Sequence, residues 1–235
     1  MFEIDIYLDI KSPHSYLMMK PAIQLMRDYE CKVNFKPYNL SYVDINVTTK
    51  YDETNPARIP KDAVQDRRAR MYYTVARVYA KGMGLRIRGP EILLNSDKAN
   101  IGTAWALQHG CSERYLSILY ELGWPNGWRD CDMNDISTLK TCLAGAGMKK
   151  EKVDLFDEYL NTRGKKAVLD HMKIADNTGF VGVPHIVFDL NNKSTGMFGR
   201  EHLSLVRHTM HERGLARSNE VSWQISHYWN DDKII

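Results

Sequence analysis

Residues 2–26 read FEIDIYLDIKSPHSYLMMKPAIQLM. The first eight, Phe2 to Asp9, alternate apolar and polar, the two-residue period of a half-buried strand. From Tyr16 to Met26 the spacing is helical, with Pro21 inside it. Between strand and helix lies Ile10-Lys11-Ser12-Pro13-His14-Ser15. Pro13 suits a first helical turn, where its missing N–H costs nothing, whereas Pro21 lies deeper and predicts a kink. Lys32-Val33-Asn34-Phe35-Lys36-Pro37-Tyr38 alternates again and predicts a second strand. The opening is thus strand–loop–helix–strand, a βαβ unit with a parallel pair.

Working outward, residues 45–60 are loop-like in composition, with Pro56 and Pro60 among Asn, Thr and Asp. A long helical stretch then runs to about Gly82. Asn95 opens a capped helix from Ser96 to His109, and further helical patterns cover 112–122, 134–147 and 151–175. Strand chemistry returns at Pro184-His185-Ile186-Val187-Phe188-Asp189. Asn191-Asn192-Lys193 supplies a turn, and Ser194-Thr195-Gly196-Met197-Phe198 a partner strand, in a hairpin without a tight two-residue Asn-Gly turn. A helix from Glu201 to Arg213 stops at Gly214. The order βαβ, helices, ββα predicts an α/β chain with a thioredoxin-like fold carrying a large all-helical insertion. The thioredoxin-like part is 1–45 and 176–215, the insertion 46–175. Residues 216–235 form a tail whose Trp223, Tyr228 and Trp229 suit packing on the body or on a partner subunit.

The chain has 235 residues, 43% hydrophobic and 26% charged, the proportions of an ordinary globular protein. Its net charge of +3 is spread out, which argues against nucleic-acid binding. Cys31, Cys111, Cys131 and Cys142 form no C-x-x-C pair, so neither a disulfide framework nor a zinc knuckle is expected. No stretch is long and apolar enough to span a membrane, and the start has no signal-peptide character. A cytoplasmic location is the expectation.

In this fold the working position is the loop after the first strand, at the start of the next helix. Free N–H groups and the helix dipole there favour an anion such as a thiolate. A disulfide oxidoreductase would place cysteines at 12 and 15. Ser12 and Ser15 cannot exchange disulfides, yet Ser12 can donate a charge-assisted hydrogen bond to a thiolate supplied from outside. Ser12 is equally suited to be a simple N-cap. Gly182-Val183-Pro184 stands where such proteins carry a cis-proline, which would expose the Val183 backbone to a thiol peptide; an ordinary trans-proline opening an edge strand is the alternative.

These pieces resemble the 2-hydroxychromene-2-carboxylate isomerase and kappa-class glutathione transferase family, within the DsbA-like group. The resemblance rests on Tyr7 to Leu17, on Gly182-Val183-Pro184, and on Phe198-Gly199-Arg200-Glu201-His202-Leu203, which looks like the family's F-W-G-x-D-R-L. It implies glutathione as cofactor, with Ser12 nearest its sulfur and Val183, beside cis-Pro184, pairing with its cysteinyl part. Arg200 and Glu201 would meet the γ-glutamyl end; Glu201 stands where the family usually has aspartate, and is also a fitting first-turn acid.

The family also has a lysine and, seven residues on, an aspartate facing the ligand. Here the basic residue is Lys61 or Arg68, and Arg68 or Val75 occupies the aspartate's place. Either cation suits a glutathione carboxylate or a solvated surface. His14 and Asn95 are the candidate substrate contacts, although both also suit helix starts. The implied activity is a glutathione-dependent isomerase in aromatic-compound degradation, or a kappa-like transferase. The substrate would be a small aromatic or electrophilic molecule, and the protein a homodimer. A non-catalytic thioredoxin-fold binding protein is the rival from another class.

Overall fold

A computed structural model describes residues 1–43 and 63–224. The loop-like segment 45–60 lies wholly outside them, and so do Lys61, Tyr228 and Trp229. Strands β1 (Phe2–Leu8) and β2 (Cys31–Pro37) flank helix α1 (Pro13–Asp28), and β3 (His185–Leu190) and β4 (Lys193–Phe198) form the closing hairpin. The sheet order is β2-β1-β3-β4, with β1 parallel to β2 and antiparallel to β3. This is the thioredoxin-like arrangement, an α/β fold, with one further helix after β4 and the other described helices lying between β2 and β3 in sequence.

The alternation in β1 sends Ile4, Ile6 and Leu8 into the main core with α1's Leu17, Met18 and Leu25. Tyr7 faces the other way, into a smaller cluster with Tyr38, Val183 and Val187. Helix α1 starts at Pro13 behind Ser12 and continues through Pro21.

The helical segment comprises α2 (Ala63–Gly82), α3 (Asp97–Gln108), α4 (Ser112–Gly123), α5 (Ile136–Gly145), α6 (Lys150–Asp154), α7 (Phe156–Tyr159) and α8 (Lys165–Asp176). Helix α3 is central, buried from Ala99 to Ala106. The continuous helix expected over 151–175 is instead broken by a π-helical turn at Leu160–Gly164. The turn ends at Gly164, where α3 packs so closely that a Cβ would lie 2.3 Å from the Ile101 Cγ2.

The hairpin is tighter than the sequence suggests. Asn191 and Asn192 both adopt positive φ, 55° and 63°, so two asparagines make the two-residue turn usually given to Asn-Gly. The last helix begins later than expected. Arg200–His202 is a 3-10 turn, and α9 runs from Leu203 to Glu212. The described part of the tail packs on the body: Ala216 bridges to Tyr29, and the Trp223 ring lies 4.9 Å from that of His208.

Candidate active site

Ser12 caps α1 with extended backbone (φ −95°, ψ 120°), and its hydroxyl accepts the Ser15 N–H at 3.4 Å. The capping role is therefore real. Ser12 is only 3% exposed, and its Oγ also lies 3.3 Å from the Tyr72 hydroxyl on α2. Ser15 is fully buried; its Oγ accepts the Asp9 N–H at 3.2 Å, so this second hydroxyl serves the core.

The loop is pinned from behind. The Asp9 carboxylate, fully buried, meets the Lys11 ammonium at 2.5 Å and accepts from Ser96 Oγ at 2.6 Å and the Leu40 N–H at 2.7 Å. Asn100 Nδ2 donates to it at 3.2 Å, and Lys11 also donates to Asn39 Oδ1 at 2.9 Å. A buried charge is tolerable only when compensated in this way. The network joins the site loop to α3.

In front of the loop opens a cavity of about 890 Å³, within the range of small-molecule sites. Helix α2 forms one wall with Arg68, Met71, Tyr72, Val75 and Tyr79, which share one helical face. Val183 and Pro184 form another part, and the Val183–Pro184 peptide bond is cis. Phe198, Gly199, Arg200 and Glu201 close the far side. Gly199 has φ 109°, and a Cβ there would lie 2.4 Å from the Glu201 carboxylate, so this turn needs a glycine.

His14 lines the cavity with its ring against Tyr72, the centroids 4.4 Å apart. Burial, helped by the Arg200 charge, pushes its imidazole down to about 4 despite the opposing Glu201 carboxylate. Burial also pushes the Tyr72 phenol up, with Asp9 adding to the effect and the Ser12 hydrogen bond opposing it. The Arg200 guanidinium stacks on the Tyr79 ring at 4.2 Å.

The structure thus brings together His14, Arg68, Val183, Pro184, Arg200 and Glu201, with Ser12 one hydrogen bond behind Tyr72. Arg68 and Val75, seven residues apart on α2, line the same cavity. Asn95 is not among its lining residues: its Oδ1 accepts the Asp97 N–H at 2.8 Å at the start of α3, a local turn. Lys61 lies outside the described residues. Tyr72 was not a sequence candidate. Its signal was available, since Arg68, Met71, Tyr72, Val75 and Tyr79 follow i, i+3, i+4, i+7, i+11 spacing.

The cavity can hold an anion near the α1 terminus, apolar groups against α2, and charged groups at Arg68, Arg200 and Glu201. No helix among the described residues is long and apolar enough to cross a membrane, and none of their acidic, His and Cys side chains cluster as a metal site.

No curated protein matches the sequence. Solved structures do. A 2-hydroxychromene-2-carboxylate isomerase superposes with TM-score 0.67 at 18% identity, covering 90% of this chain and 96% of its own. A probable DsbA oxidoreductase from Streptomyces coelicolor gives 0.69 at 17%, covering 94% and 93%. The cytosolic disulfide reductase DsbM from Pseudomonas aeruginosa, in a structure with GSH, gives 0.61 at 11%, covering 86% and 92%. At these identities the likeness establishes the fold. The model of the DSBA-like thioredoxin domain matches residues 3–211, nearly the whole chain, and the protein belongs to that family.

Proposed function

We propose that the protein is a glutathione-dependent isomerase of the 2-hydroxychromene-2-carboxylate type. The observation that carries this reading is a hydroxyl, Ser12, at the start of α1, where its oxidoreductase relatives would need a thiol. It stands beside a cavity whose Arg68, Arg200 and Glu201 offer opposite charges to a zwitterionic peptide. The residues present fit glutathione: cations for its carboxylates, Glu201 for its ammonium, the Val183 backbone for its cysteinyl part.

Glutathione held by Arg68, Arg200, Glu201 and the Val183 backbone would supply a nucleophilic sulfur for reversible addition to an unsaturated aryl keto acid, the chemistry that isomerisation about its double bond requires. Ser12 and the α1 terminus hold the negative charge on the sulfur while it waits. Met71, Val75 and Phe198 would give the aromatic part an apolar wall.

A kappa-like transferase uses the same ionised sulfur and differs in releasing the adduct. A non-catalytic binding protein finds support in Val75, an apolar side chain at one of the two positions aligned with the family's aspartate.

The test is a glutathione titration followed by calorimetry and by ultraviolet absorbance of the thiolate, then turnover of a 2-hydroxychromene-2-carboxylate. Binding with ionisation of the thiol, followed by isomerisation, is the expected result. Ser12→Ala should cut turnover strongly while leaving glutathione affinity largely intact, and lost capping should cost about 1 kcal/mol of stability. Absence of binding at millimolar glutathione would end this reading. Binding without turnover would select the non-catalytic one.

A further inference from the structure

We infer that Tyr72 is a catalytic residue, the second hydroxyl donor to the sulfur beside Ser12. This rests on the glutathione reading above and adds a residue from the helical segment to it.

The argument is geometric. Ser12 is 3% exposed, and the group over its Oγ is the Tyr72 hydroxyl at 3.3 Å. Tyr72 itself lines the cavity whereas Ser12 does not. A sulfur that comes within hydrogen-bonding reach of Ser12 from the cavity is therefore also against the Tyr72 hydroxyl. Ser12 Oγ accepts the Ser15 N–H, so its own proton is one to donate, and a sulfur that displaces the Ser12–Tyr72 contact receives both hydroxyl protons. The two hydroxyls and the sulfur then form a triangle, with an O–H from α1 and an O–H from α2 both directed at the charge.

The proton balance is simple. The thiol proton leaves to water, and both hydroxyls remain un-ionised donors. Burial keeps the Tyr72 phenol protonated at neutral pH, with Asp9 behind it acting in the same direction. Around the cavity Arg68 and Arg200 favour the anion and Glu201 opposes it. His14, uncharged at neutral pH, lies against the Tyr72 ring with an edge-on contact.

The experiment compares wild type, Tyr72→Phe and Ser12→Ala, each with bound glutathione. Thiolate absorbance is followed against pH, and binding is measured at a pH where the thiol is neutral. Losing one charge-assisted hydrogen bond should lower the ionisation constant of the bound thiol about ten- to a hundredfold in Tyr72→Phe, with binding of the neutral thiol retained. S-methylglutathione, which has no ionisable thiol, should bind wild type and Tyr72→Phe alike. A wild-type protein that ionises glutathione and a folded Tyr72→Phe that ionises it equally would overturn the role of Tyr72 alone. A wild-type protein that binds no glutathione would overturn the functional reading, and the role of Tyr72 with it.

Discussion

The His14 imidazole is packed between the Tyr72 ring and the Arg200 charge, and it carries a pH signature that can be measured. Its folded value is pushed down to about 4 by burial first and Arg200 second, while in the unfolded chain it titrates near the ordinary histidine value of about 6.5. Between those values the unfolded chain binds more protons. Stability contributed by neutral His14 is thus present above about 6.5, declines as pH falls, and levels off below about 4. Burial also lowers His109, His171 and His185, so they add to the same slope. Urea midpoints measured across this window should fall less steeply in His14→Gln than in wild type. Parallel curves would show that His14 is not buried at the cavity wall. Ser12 illustrates the other side of single-residue chemistry, since one oxygen both caps α1 and faces Tyr72. For that reason Ser12→Ala must be read by stability and turnover together.

At the level of elements, the π-helical turn before α8 ends at Gly164, where the absent side chain lets Ile101 on α3 approach. Gly164→Ala would place a Cβ 2.3 Å from Ile101 Cγ2 and should cost about 1–3 kcal/mol, as overpacking does. Adding Ile101→Val should return part of that loss in the unfolding midpoint; no return would place the strain elsewhere. This break also marks where sequence reading stops. Periodicity over 151–175 reports a helix but carries no trace of a neighbour pressing on one glycine. Strand β1, helix α1 and the position of Ser12 were readable because alternation, Pro13 and a capping serine are all local signals. The two-residue hairpin turn escaped because Asn192 takes a backbone conformation more often given to glycine. Tyr72 escaped for a different reason: its role depends on α2 crossing in front of α1, a contact between residues 60 positions apart. Arg200 lines the cavity with its guanidinium stacked on Tyr79, a contact between distant stretches of chain that no local pattern announces.

Across the whole molecule, the four cysteines report how well the core is sealed. Cys31 and Cys142 are buried, and desolvation pushes both thiols up to about 11. Cys111 and Cys131 are partly exposed. A thiol reagent at neutral pH should label Cys111 and Cys131 first and reach Cys31 and Cys142 only as urea unfolds the protein. Uniform labelling of all four in the native state would contradict this core. The buried network behind the site loop has a consequence for how the molecule is completed. Its members, Asp9, Lys11, Asn39, Ser96 and Asn100, come from three distant stretches of chain, and each holds the others dry. Until α3 docks, the Asp9 carboxylate keeps its water, because a lone charge there cannot be sealed in. The loop that bears Ser12 is therefore held from behind only when α3 is docked.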